Sequence, residues 1–193
     1  MTRSRTHPDL ARQEFDAFVA ASAAPLLRAA YLVVWDEFEA EDLVQECLSK
    51  VAKRWPRVRT MESPRAYARK ILMNLAIDSG QRLSRRSSEL GVPESVLDEV
   101  RTDSAAAREL DSVHTRAELR TALAALTARQ RAVLALRYFE DLSEAETARA
   151  LGCSVGTVKS TTSRALGSLQ QTLERINAET TSQFQTHGQR RAP

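Results

Sequence analysis

A chain of 193 residues that is 42% hydrophobic and 27% charged, with six Gly and six Pro, has the composition of a helix-rich globular protein, and its length admits one ordinary core or two small helical domains. Cys47 and Cys153 lie far apart, as do His7, His114 and His187, so no metal-ligand spacing, catalytic histidine or cofactor site is expected, and both cysteines read as small buried hydrophobes in a reducing compartment. No run approaches the roughly 18 apolar residues of a bilayer span, and the polar stretch Met1 to Arg12 has no signal core behind it, which predicts a cytoplasmic protein without membrane insertion.

In chain order, Phe15, Phe18 and Val19, then Leu26, Leu27, Ala30, Tyr31 and Val34, recur at three- and four-residue intervals. With Pro25 at a first helical position, this predicts two short helices. Leu43, Val44, Cys47, Leu48, Val51, Ala52 and Trp55 form one apolar stripe, with Asp42, Gln45, Glu46, Lys50 and Lys53 off it, and Pro56 ends that helix. After a loop from Arg57 to Glu62, Ser63 and Pro64 suit an N-cap and a first helical residue, and Tyr67, Ile71 and Leu75 carry a helix towards Arg86.

The net charge of +3 hides a strong order. Asp36 to Glu46 holds six acids and no base, whereas Lys50 to Arg86 holds eleven bases against Glu62 and Asp78. A basic density of that kind is an electrostatic footprint for phosphates, because each neutralised phosphate releases condensed counterions. A first domain is therefore expected over residues 12–86. Residues 87–111, broken by Gly91 and Pro93 and with seven acids against Arg101 and Arg108, read as a flexible acidic linker.

Periodicity resumes at Leu119, Leu123 and Leu126, opening a second domain over residues 112–175. Two capping boxes follow, Thr127 with Gln130 and Ser143 with Glu146, and each announces a helix. Val133, Leu134, Leu136, Tyr138 and Phe139 supply the core face of the first, and Ala145, Ala148 and Leu151 that of the second. Ser154 suits the N-cap of a last helix with the stripe Val158, Ala165, Leu166 and Leu169. Residues 176–193 read as a polar, unstructured tail.

Leu142 to Leu166 has the spacing of a helix-turn-helix: small Ala148 where two helices touch, Gly152 at the turn, and Val158 anchoring the second helix. Thr157, Lys159, Ser160, Thr161, Ser163 and Arg164 form its outward face, and no acid occurs between Val155 and Gln171. Hydroxyls, Lys and Arg are the groups that phosphates and major-groove base edges call for.

Three segments in a fixed order resemble the extracytoplasmic-function (ECF) sigma factors of the sigma-70 family. Ala40 to Trp55 (AEDLVQECLSKVAKRW) is similar to the family's clamp-binding helix, Ser63 to Arg86 to its promoter minus-10 helix, and Ala125 to Leu166 to its minus-35 domain. The Arg-rich, Lys-poor usage is similar to that of actinobacterial members. The resemblance implies an all-α protein of two small helical domains, a sigma region 2-like bundle and a region 4-like helix-turn-helix domain. Its implied partners are promoter DNA, core RNA polymerase through the β′ clamp and β flap, and, as often in the family, an anti-sigma factor. It implies a non-enzymatic role in promoter-specific initiation, with polymerase docking through Asp42, Leu43, Val44, Gln45 and Glu46, although by periodicity Leu43 and Val44 fit the core equally well. Minus-10 contact would fall to Arg65, Arg69, Lys70, Arg82, Arg85 and Arg86. The loop Arg57 to Glu62 would capture a flipped base, with Asn74 beneath it or simply exposed on its helix. Thr157, Lys159, Ser160, Thr161, Ser163 and Arg164 would meet the minus-35 element, and the acidic linker would thread the polymerase cleft. Thr147 and Thr162 depart from the family's larger aliphatics, and Thr161 stands where Arg is common. A free-standing helix-turn-helix regulator explains the last segment but not the acidic helix. A nucleic-acid-modifying enzyme would need a metal cluster, phosphate loop or nucleophile pairing that the sequence does not offer.

Overall fold

The computed structural model describes residues 7–90 and 113–189, and all regular structure among them is helical. The first element, α1 (His7–Val34), is one helix and not the expected two. Pro25 has no N–H to give to the carbonyl four residues earlier, that of Ala21, and in an isolated helix that gap favours a break. Here the Arg65 guanidinium donates to the Ala21 carbonyl at 3.0 Å, so the orphaned acceptor is satisfied from a neighbouring helix. Asp9–Val34 is also long and apolar enough to cross a membrane by length and composition, contrary to the sequence expectation. That apolarity is used inside the bundle: Leu26, Ala29, Ala30, Val33 and Val34 are buried in the core.

Trp35, at φ 60, turns the chain, and the Asp36 carboxylate accepts the Glu39 N–H at 2.8 Å to cap α2 (Glu37–Lys53). Leu43, Val44, Cys47 and Val51 form its buried stripe. Pro56 does end the α2 pattern, but it also starts a short α3 (Trp55–Val58), so the loop expected from Arg57 begins as a helical turn. Trp55 is buried against Phe15 and Phe18, and its indole N–H donates to the Ala11 carbonyl at 2.9 Å. Helix α4 (Pro64–Leu90) buries Ala68, Leu72, Met73 and Ala76, and takes in Ser87 to Leu90, assigned to the linker from sequence. The rest of that linker, residues 91–111, lies outside the described residues.

The second half contains α5 (Val113–Ala124), α6 (Ala128–Leu134), a π-helical turn over Ala135–Phe139, α7 (Glu144–Leu151) and α8 (Val155–Gln189). Both expected capping boxes form. The π-turn inserts an extra residue per turn and rotates the side chains beyond Leu136. Tyr138 and Phe139, expected in the core, are consequently 62% and 56% exposed, and Ala145 is exposed as well. Gly152 sits at φ +62 as the left-handed C-cap of α7, a conformation that a Cβ would strain. Helix α8 runs on through Asn177 to Gln189, where the sequence suggested an unstructured tail; no proline interrupts it, and Gly167 and Gly188 each cost a helix only about 1 kcal/mol.

The two halves pack against each other. Ala128, Ala132, Val133 and Leu136 belong to the same buried cluster as α1, α2 and α4, whereas Leu126, Leu134 and Ala165 form a small core of the second half alone. Gly80, a costly residue inside α4, lies so near α6 that a Cβ there would stand 2.5 Å from the Cβ of Ala128. Arg131 is buried at the same seam and donates from Nε to the Val33 carbonyl at 2.7 Å and from Nη1 to the Leu126 carbonyl at 2.6 Å. Val33 is in the last turn of α1, whose carbonyls lack intrahelical donors.

Candidate nucleic-acid interface

Three surfaces carry the charged residues. On α2, Glu41, Asp42, Gln45 and Glu46 are exposed together, while Leu43 and Val44 are buried. The alternative left open by the periodicity is thus resolved: these two residues hold the helix in the bundle and are withdrawn from the docking set. Glu46 pairs with Lys50 at 2.7 Å one turn on, both half-exposed, and Glu39 accepts from the Ser79 hydroxyl of α4, which fixes the acidic helix against the basic one. Phe38 projects from the first turn of this surface at 82% exposure. The apolar stripe passes it by, and only its isolation among acids sets it apart in the sequence.

The second surface is α4 with the segment before it. Lys70, Asn74 and Arg82 are exposed, and Arg85 and Arg86 lie on the same helix. Arg65 is exposed but bonded to Ala21, and Arg69 is three-quarters covered, with Nη2 2.9 Å from Glu140 Oε2 of the second half. Two cavities flank Tyr67, whose hydroxyl accepts from Arg54 Nη1 at 3.1 Å. One, of about 610 Å³, lies between Lys53, Arg54, Arg57, Val58, Met61 and Tyr67; the other, of about 430 Å³, is lined by Lys50, Lys53, Arg54, Tyr67 and Asn74 among others. Arg59, in the preceding loop, is held by Glu14 of α1 at 2.8 Å. The sequence points to Asn74 and the loop but not to the Arg54–Tyr67 pair, because Tyr67 falls in the apolar periodicity of its helix and Arg54 in a run of bases.

The third surface is the start of α8. Ser154 Oγ accepts the Thr157 N–H at 3.1 Å, and Lys159, Ser160, Ser163 and Arg164 face solvent, with Thr157 half-buried. Arg164 folds along its own helix to the Ser160 carbonyl at 3.1 Å. Thr161 departs from expectation: it is buried on the inner face with Val158 and Ala165, three residues to one side and four to the other, so it leaves the outward set. The buried hydroxyls of Thr147 and Thr162 have no hydrogen-bond partner, which fits positions that a larger aliphatic would also fill. Cys47 is buried, donates to the Ala68 carbonyl at 3.2 Å, and has its thiol pushed up to about 11 by burial, so it is chemically quiet; Cys153 is only partly buried.

Residues 18–86 match the family model for Sigma-70 region 2, and residues 116–169 the model for Sigma-70, region 4. The chain is 37% identical over 160 residues to the RNA polymerase sigma-E factor of Streptomyces coelicolor, covering 83% of this chain and 86% of that protein. It is 33% identical over 171 residues to the ECF RNA polymerase sigma factor SigL of Mycobacterium tuberculosis, covering 81% and 94%. Among solved structures, it is similar to the sigma factor RpoE of Bartonella quintana in complex with the anti-sigma factor NepR, at 26% identity and a TM-score of 0.58 over 84% of this chain and 98% of that one.

Proposed function

The chain belongs to the ECF group of sigma-70 factors, and from that premise we propose that it binds core RNA polymerase and directs promoter-specific transcription initiation, dividing the two tasks between surfaces of opposite charge. The observation that carries this reading is the acidic exposed face of α2 held directly beside the basic face of α4. Asp42, Gln45 and Glu46, with Phe38 beside them, dock on the coiled coil of the β′ clamp. Lys70, Arg82, Arg85 and Arg86 follow the minus-10 backbone, and Arg69 joins them when free of Glu140. The cavity beside Tyr67 and Arg54 takes the extruded base, where stacking and backbone contacts offset a flipping cost of a few kcal/mol.

The outward face of α8, Thr157, Lys159, Ser160, Ser163 and Arg164, reads the minus-35 element, and its half of the chain meets the β flap. Residues 12–90 and 112–175 are the two working units, 91–111 the tether between them, and 176–193 an extension; two weak DNA contacts held on one polymerase act at high effective concentration. The chain performs no catalysis of its own and works in the cytoplasm, where an anti-sigma factor is a natural further partner. Run-off transcription with core polymerase tests the reading. Wild-type chain is expected to give promoter-dependent transcripts that Asp42→Arg and Glu46→Arg abolish while circular dichroism stays unchanged; full activity in both folded variants removes the clamp-docking assignment.

A further inference from the structure

A guanidinium fixed in place offers a nucleobase donors and no acceptor, and Arg54 is fixed: its Nη1 donates to the Tyr67 hydroxyl at 3.1 Å, which leaves most of its N–H groups unspent. We propose that Arg54 makes the cavity of about 610 Å³ beside Tyr67 a site that selects an extruded guanine or cytosine and rejects adenine. The proposal deepens the base-capturing role given to that cavity under Proposed function and rests on it. Val58, Met61 and Tyr67 give a base an apolar and aromatic lining, and Lys53, Arg54 and Arg57 supply cations. No acid or amide side chain lines the cavity. The backbone adds little: the Arg54 carbonyl already accepts the Arg57 and Val58 N–H groups at 3.0 and 2.9 Å, and the Arg57 carbonyl the Thr60 N–H and hydroxyl at 3.3 and 2.8 Å. Among the described residues no carboxylate pairs with Lys53, Arg54 or Arg57, whereas Lys50 and Arg59 nearby are spent on Glu46 and Glu14.

Base edges differ in what they ask of such a site. Guanine shows two neighbouring acceptors, N7 and O6, and cytosine shows O2 and N3, so one guanidinium fork can meet both atoms of either pair. Adenine sets its N6 amino group beside N7, and thymine places N3–H between its carbonyls. Against Arg54 each of these edges turns a donor towards donors, and the hydrogen bond that donor had in water is not replaced. The second cavity, of about 430 Å³, provides the contrast. Asn74 and Asp78 line it with acceptors beside the donors of Lys50 and Lys53, so it can meet an amino group and makes no such distinction. Arg54 and Tyr67 border both cavities. Tyr67 is therefore a positioning residue, whose hydroxyl holds the fork that reads the edge.

Selection from a pool of random single-stranded DNA by the full chain bound to core RNA polymerase, with the enriched strands sequenced, tests this. One position of the wild-type motif is expected to hold guanine or cytosine and to exclude adenine by roughly tenfold. Which of the two acceptor pairs is read shows directly in that position. Arg54→Gln replaces the donor fork by an amide with a donor and an acceptor, the pairing that suits adenine N6 and N7, so adenine is expected to gain there by roughly fivefold or more. Tyr67→Phe keeps the ring but releases Arg54, and the same position is expected to lose about threefold of its preference without turning to adenine. Circular dichroism checks that both variants fold. Motifs that agree at every position between wild type and folded Arg54→Gln, or a changed position that wild type fills with adenine, overturn the proposal. Run-off transcription separates this from the initiation reading. Wild-type transcripts alongside an unaltered motif in Arg54→Gln remove the base assignment alone, whereas neither transcripts nor enriched strands from wild type remove both.

Discussion

A guanidinium taken out of water must replace the hydrogen bonds it leaves behind, and Arg131 does so with carbonyls from both halves of the chain, those of Val33 and Leu126. Arg131→Met keeps most of the volume but leaves both carbonyls without that donor, so a loss of about 2 kcal/mol is expected as a fall in the urea midpoint. Arg131→Lys offers one nitrogen where two separate carbonyls need donors, and should recover only part of the loss. Arg65 is bound in a similar way to the Ala21 carbonyl freed by Pro25, but at an exposed site where water can substitute, so its replacement costs less. Neither role was legible in the sequence. Arg65 looks like one more base of the Lys50 to Arg86 run and Arg131 like an ordinary helix arginine, and the acceptors they satisfy are backbone groups that carry no signal of their own in the residue pattern.

The elements that the sequence announced most clearly are those whose signals are local. The capping boxes at Thr127 and Ser143, the left-handed Gly152 and the spacing of Ala148 and Val158 all act within a few residues, and each forms as expected. Elements misread were decided by something non-local or aperiodic: a π-turn that swings Tyr138 and Phe139 out of the core, and a proline kept within α1 by a donor forty residues on. Thr161 was misassigned for a simpler reason, since a hydroxyl on a helix looks outward by chemistry while its position beside Val158 and Ala165 sends it inward. The cap of α7 gives a test at this scale. Ser143→Ala should destabilise the chain by about 1 kcal/mol in thermal or urea unfolding. The Ser143 hydroxyl and N–H hold the Glu146 carboxyl below its ordinary value, so its contribution is complete above the unfolded pKa and disappears as pH falls through the lowered folded one. Between neutral pH and that acid range, Glu146→Gln should lose less stability on acidification than wild type.

Over the whole molecule, the sequence announced two helical units and their charges but not how they meet. Contacts between small residues such as Gly80 and Ala128 have no periodic signature, and a pairing such as Arg69 with Glu140 spans seventy-one residues. The charge order from acidic α2 to basic α4 is legible at once, and the proposed function depends on it: in that proposal a negative surface meets the enzyme while positive ones meet the template. Opposite charges should speed that docking and make it sensitive to salt. The most direct measurement is equilibrium binding of fluorescently labelled chain to purified core RNA polymerase, comparing wild type with Asp42→Arg at low and high salt. The account predicts tight binding by wild type, weakened by salt and lost by at least tenfold in Asp42→Arg, equivalent to about 1.4 kcal/mol or more. Equal binding by both chains, or none by the folded wild type, would contradict it.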